Sequence, residues 1–296
     1  VSALPFEVAV RALSALSHLD PAAAMRASAS VLQHSHDATL RWVALAALPN
    51  ADNPGARLAL TSAVRDEDAR VRERALDLLL AAQRGLDASA QASFVDRSND
   101  PWPEVRRLAY RGLGQRCVQD PQLAATLGDR VFDRKHADPD DLSRADALSA
   151  YAHCSAASLD RLAAAFALVQ PSEVHERAAQ ILADRGLDAL PKLARALDHV
   201  FDSGAGAKTE PAAIAILTAI GRIGAMHRGD AYARYMLTLL RDSAADPFFP
   251  GVRTAAIDAL ASGCPEGAHV VFDRGDKDPE PAVKRAAELA RSRCNR

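Results

Sequence analysis

His34, His36 and Asp37 are the densest set of metal-ligand side chains in the sequence. Two imidazoles and a carboxylate hold a transition metal when a third or fourth ligand closes the shell. Here the i, i+2 spacing falls in a turn and no further ligand stands nearby. The three residues therefore read as a turn whose Asp37 caps the helix that follows. Asp273, Asp276, Asp278 and Glu280 offer oxygen to a hard cation but lack the D-x-[DN]-x-[DN]-G spacing of a calcium loop. Asp138, Asp140 and Asp141 read the same way, as turn and capping residues. No G-x-S-x-G elbow positions a nucleophile. The run from Gly204 to Thr209 lacks the spacing and the preceding strand of a phosphate loop. The expectation is a protein with no catalytic residues, no cofactor and no metal: not an enzyme.

Cys117, Cys154, Cys264 and Cys294 are separated by 37, 110 and 30 residues. No pair has zinc spacing and no compact framework of bridges is evident. They read as buried free thiols, which fits a reducing compartment and a cytoplasmic protein. The formal net charge is −2, too small to attract nucleic acid or anionic lipid over the whole surface. No apolar run reaches the roughly 18 residues of a membrane span.

Binding chemistry is better represented than catalysis. Trp102 lies between two prolines and precedes Arg106 and Arg107; Phe248 and Phe249 are adjacent in an irregular stretch. Aromatic side chains beside arginine are frequent interface anchors, so these five residues are the candidate partner-binding set. Tyr232 and Tyr235 share a helix face and read as packing. Arg70, Arg72, Arg74, Arg106, Arg107, Arg111 and Arg116 could track phosphates, but Glu67, Asp68, Glu73, Asp77 and Glu104 dilute them into a salt-bridged surface.

What must position these residues is a recurring helix. Alanine, leucine and arginine are abundant and alternating β-branched runs are scarce, which favours helix over sheet. From Asp100 to Gly114 the chain runs Asp-Pro, then Val-Arg-x-x-Ala-x-x-x-Leu. The phrase returns at Asp37 with Arg41, Asp68 with Arg72, Asp246 with Arg253 and Asp278 with Lys284. Taking Arg41, Arg72, Arg106, Ser143, His175, Ala213, Arg253 and Lys284 as equivalent gives steps of 31, 34, 37, 32, 38, 40 and 31 residues. A period in the thirties with two helices per unit predicts stacked helical hairpins. Seventeen helices are expected, as eight hairpins and a leading helix that reads as half of a cut unit or a cap, in one domain over residues 1–296. Two are continuous helices at 156–168 and 187–201. The aspartates are expected to cap the second helix of each hairpin. The basic residues are expected to reach a turn aspartate in the same or the adjacent unit, as largely exposed pairs worth little each.

The phrase resembles the HEAT repeat, in particular the short variety of about 31 residues that carries Asp-x-x-x-Val-Arg-x-x-Ala, at Asp68–Leu79, Asp100–Leu113, Asp246–Leu260 and Asp278–Leu289. It is weak over 142–151 and 212–223, where Val-Arg is missing. The resemblance implies an all-α fold, an α-α superhelix wound as a right-handed solenoid of antiparallel helix pairs. It also implies a ladder of Asp37, Asp68, Asp100, Asp246 and Asp278 with Arg41, Arg72, Arg106, Arg253 and Lys284 along one edge.

HEAT-like proteins include scaffolds, transport receptors, bilin lyases and DNA glycosylases, so fold alone does not choose among them. The absence of a catalytic constellation favours a scaffold or adaptor that binds a protein or peptide in the groove of the solenoid. The alternatives are a glycosylase-like nucleic-acid binder, opposed by the balanced charge, and a bilin-lyase-like protein.

Overall fold

The computed structural model describes residues 6–48, 51–81, 87–168, 172–203, 206–227, 232–245 and 249–295. Among them all regular structure is helical: α1 (Phe6–Leu19), α2 (Pro21–His34), α3 (Ala38–Ala46), α4 (Pro54–Ala63), α5 (Ala69–Leu80), α6 (Ala88–Arg97), α7 (Pro103–Gly114), α8 (Pro121–Phe132), α9 (Asp141–Tyr151), α10 (Leu159–Ala163), α11 (Ser172–Asp184), α12 (Leu190–Asp202), α13 (Glu210–Met226), α14 (Tyr232–Ser243), α15 (Pro250–Gly263), α16 (Ala268–Gly275) and α17 (Pro281–Cys294). The expected helix over 156–168 is instead the short α10 followed by a 3-10 turn, Ala164–Ala167; α12 is likewise preceded by a 3-10 turn at Gly186–Ala189. Gly186 has φ +65, a left-handed conformation that glycine adopts without a Cβ clash, and the chain turns there between α11 and α12.

Local chemistry starts these helices. Asp20, Asp37, Asn53, Asp68, Asp87, Asp140 and Ser158 each accept backbone N–H bonds at a helix N-terminus. Proline occupies the first turn of α2, α4, α7, α12, α13, α15 and α17, where its missing N–H costs nothing. Apolar residues at helical spacing then pack each helix on its neighbours. Val71, Ala75, Leu76 and Leu79 of α5 and Val105, Ala109, Tyr110 and Leu113 of α7 are buried.

The chain forms two compact units, Val1–Leu127 with His153–Ser155, and Gly128–Ala152 with Ala156–Arg296. In the first, α3 packs on α5 and α5 on α7, with α2, α4 and α6 each paired to the helix after it; α1 packs on α2 and α3. In the second, α9, α11, α13, α15 and α17 pack in succession, with α12, α14 and α16 paired to the helix after them. The architecture is that of a helical-repeat solenoid, and no helix among the described residues is long and apolar enough to cross a membrane.

The cysteines are not free. Cys117 is bonded to Cys154, within the first unit, and Cys264 to Cys294, within the second. This corrects the expectation of buried thiols. The separations of 37 and 30 residues nearly equal the repeat steps of 37 and 31 at the same places, so each pair occupies equivalent positions one repeat apart. Their Cα atoms lie 4.9 and 5.4 Å apart, well within disulfide range.

Candidate functional site: a groove across three helices, beside an arginine ladder

The ladder positions set which way every second helix faces. Arg41 of α3 donates from Nε and Nη2 to both carboxylate oxygens of Asp66, each at 2.8 Å, and from Nη1 to the carbonyl of Ser35 at 2.9 Å. Arg72 of α5 grips Asp100 at 2.8 and 2.7 Å and donates to the carbonyls of Asp66 and Glu67 at 3.0 and 2.9 Å. Arg253 of α15 grips Asp278 at 2.7 and 2.9 Å. Each guanidinium therefore holds the turn of the following repeat with a bidentate fork, and Arg41 and Arg72 hold their own turn as well. Arginine suits this because its planar donor array matches a carboxylate.

These pairs are buried, unlike the exposed pairs expected. The Asp100 side chain is 0% exposed and that of Arg72 9%. Burial alone would raise the Asp100 carboxyl, but the Arg72 and Trp102 N–H bonds and the charges of Arg72 and Arg97 outweigh it and hold the group below the usual range. Asp278 is lowered in the same way by Arg253 and the Glu280 N–H.

Two kinds of aspartate are thus present where one was expected. Asp37 and Asp68, four residues before the arginine, are N-caps. Asp66, Asp100 and Asp278 stand six residues before the basic position; each orients the N–H two residues on and receives the preceding arginine. Asp100 and Asp278 are therefore ladder partners rather than caps. The N-cap positions belong to Trp102 and Glu280, which make no side-chain cap bond. Lys284 is exposed and its side chain makes no hydrogen bond among the described residues. Asp246 lies outside the described residues.

The candidate binding residues do not gather at one place. Trp102 is 49% exposed at the start of α7. Arg106 is only 7% exposed and donates to the carbonyls of Asp100 and Pro101 at 2.9 and 3.2 Å. It belongs to the ladder row, with its charge turned inward, and not to an exposed anchor. Arg107 and Phe249 are half-buried. Phe248 lies outside the described residues, as do the side chains of Tyr232 and Tyr235. His34 and His36 are exposed at their turn. Asp273 and Asp276 are held by Arg291 and Asp278 by Arg253, so three of the four carboxylates of the acidic run are taken up by ion pairs.

Sequence reasoning missed a groove in the second unit. Two adjoining depressions of about 530 and 540 Å³ cross α11, α13 and α15. They share Ile214, Thr218 and Arg222 of α13. Each helix presents one face at i, i+4, i+8: Ser172, Glu176 and Gln180; Ile214, Thr218 and Arg222; Thr254, Asp258 and Ser262. Relative to the ladder positions these include the next residue in each helix. The signal lay in the repeat alignment itself, one step past the residues that carried it.

The floor is made of small residues, which lets the helices approach. A Cβ on Gly221 would stand 2.7 Å from Ala259 Cα, and one on Gly263 3.3 Å from the Gly224 carbonyl oxygen. Gly251 leaves room for Glu210, whose Oε1 lies 2.4 Å from where a Cβ would be. Glu176, Glu210 and Arg222 make no side-chain hydrogen bond or ion pair among the described residues. Burial raises the Asp258 carboxyl against the opposing charge of Arg293. The groove thus offers three carboxylates, Glu176, Glu210 and Asp258, and the Arg222 guanidinium around a small, partly apolar floor. Among the described residues no three His, Cys, Asp or Glu side chains gather as a metal site.

In this row His175 replaces arginine. It is 2% exposed, its Nε2 lies 3.0 Å from the Leu168 carbonyl, and its Nδ1 is buried with no partner. Burial lowers its pKa, and the nearby Arg144 charge adds to this against the Leu168 bond.

No protein-family model matches the sequence, and neither does a curated protein. Among solved structures, a Kap121p mutant superposes with TM-score 0.62 at 14% identity, over 97% of this chain and 34% of that one. Kap121p bound to Nup53p superposes with TM-score 0.58 at 13% identity, over 94% and 34%. This chain therefore spans 34% of the length of those structures. Human deoxyhypusine hydroxylase, at 20% identity, has a TM-score of 0.37, too low to bear on function. At these identities the likeness is one of fold: the chain is built as a helical-repeat solenoid.

Proposed function

We propose that this chain is a non-catalytic, HEAT-type scaffold that takes up a segment of a partner protein in the groove across α11, α13 and α15. The observation that carries the reading is the set of charged side chains there that are unpaired among the described residues. Elsewhere in the repeats buried charge is matched, Arg72 with Asp100 and Arg253 with Asp278. In the groove the exposed Glu176 and Arg222 and the half-buried Glu210 make no side-chain hydrogen bond or ion pair among the described residues, beside small residues that admit a backbone closely. An extended segment with basic side chains toward the two glutamates and an acidic one toward Arg222 complements that pattern. The structurally similar Kap121p is described bound to Nup53p, which supports a protein as the occupant of this kind of stack. The net charge of −2 argues against nucleic acid.

The test is affinity capture from native lysate with nuclease at two salt concentrations. Wild type is compared with a triple variant, Glu176→Lys, Glu210→Lys, Arg222→Glu, and with Trp102→Ala. A stoichiometric protein that survives nuclease, is lost on the triple variant and is kept by Trp102→Ala supports the groove. A partner indifferent to the triple variant but lost on Trp102→Ala moves the site to α7. Recovery of nucleic acid alone overturns the reading.

A further inference from the structure

We infer that the chain works with both disulfides closed, in a compartment that keeps thiols oxidised, and that Cys264–Cys294 clamps the α15–α17 edge beside the groove. The bonds follow the repeat. Cys117 and Cys154 each stand eleven residues after their ladder positions, Arg106 and Ser143; Cys264 stands eleven after Arg253, and Cys294 ten after Lys284. At α15 and α17 the seam is thereby held twice. Arg253 binds Asp278 ahead of the start of α17, and Cys264 binds Cys294 at its end. Ala282 of α17 lines the second depression, so a clamp on α17 is a clamp on one wall of the groove.

Cys264 has φ 46, the one non-glycine residue with positive φ among those described. Glycine or asparagine normally ends a helix in this conformation. Cysteine is disfavoured there, and its place is accounted for by the bond it makes. Two such bonds persist in oxidising surroundings and are rare where glutathione keeps thiols reduced. Closure removes two protons and two electrons from each thiol pair; a disulfide-bearing oxidant accepts them by exchange and leaves as two thiols.

The bonds also differ in access. Cys117 and Cys154 are 0% and 5% exposed, whereas Cys264 and Cys294 are half-buried. Attack by an external thiolate needs access, so the second bond opens first.

The experiment uses the full chain isolated from its native cells, with thiols alkylated at lysis. Intact mass should show no alkylation before reduction, two groups after mild dithiothreitol on the folded protein, located at Cys264 and Cys294, and four after denaturing reduction. The two-group form should exchange amides of α17 faster, on the order of 10- to 100-fold, while α5 is unchanged. The double variant Cys264→Ser, Cys294→Ser should reproduce that pattern without reductant. Four alkylated cysteines at lysis overturn the oxidised state. Opening of Cys117–Cys154 first overturns the difference in access. Unchanged exchange in α17 overturns the clamp.

Discussion

The α3–α5–α7 seam of the first unit and the α11–α13–α15 seam of the second come from one repeat and are held by opposite means. In the first, Arg41 and Arg72 each thread a buried fork into the next turn. In the second, the ladder positions are His175 and Ala213, and the helices close on glycine and alanine instead. A laddered seam fixes register through a few directional bonds and spends its charge internally. A small-residue seam fixes distance through packing and leaves the charge on its outward face unspent. That is where the groove lies.

The comparison breaks most visibly at Asp100. Asp100→Ala leaves Arg72 buried without its partner and should cost about 3–5 kcal/mol, read as a lower midpoint in urea. A loss under about 1 kcal/mol would show that the ladder is ornament and packing holds both seams. Gly221→Val should cost about 1–3 kcal/mol by overpacking α13 against Ala259, with faster amide exchange in α13 and α15. Little change would mean that close approach is incidental to the second seam.

Acid should separate the seams by pH. The lowered Asp100 and Asp278 carboxyls contribute stability that is present above about pH 4, the ordinary carboxylate value, and lost as pH falls through their folded values. The lowered His175 contributes stability present above about pH 6.5 and lost as pH falls toward its own folded value, because the unfolded chain takes the proton first. Stability measured from pH 8 to about 2 should therefore decline in two stages, and His175→Gln should remove the upper one alone. Lys284→Ala, at an exposed side chain with no hydrogen bond among the described residues, should change stability by less than about 0.5 kcal/mol.

The helices were legible because capping residues, early prolines and apolar spacing act locally. The two roles of aspartate were not, because Asp68 and Asp100 both precede a Val-Arg pair and only distance from it separates cap from ladder partner. The cysteines were misread because 37 and 30 residues look unrelated until set beside the repeat steps of 37 and 31. The groove was hidden for a different reason. Ile214, Thr218 and Arg222 are ordinary helix residues, and their meaning comes from Gly221, Gly251 and the neighbouring helices that bring them to one surface. Arg106 carried two expectations, a ladder position from its register and an anchor from its place beside a tryptophan, and its helix phase turns it inward as the first requires.

The direction of the ladder has a consequence for how such a chain can change length. The Arg72 repeat carries both a socket, Asp66 six residues before its arginine, which receives Arg41, and a plug, Arg72 itself, which fits Asp100 of the repeat after it. A tandem copy of residues 66–99, from Asp66 to just before Asp100, would bring both halves along. Its arginine would find Asp100, and Arg72 would find the copied aspartate. Such an array can gain or lose a whole repeat at Arg72 without orphaning a buried charge, whereas a partial repeat that takes the arginine without the aspartate leaves one unmatched.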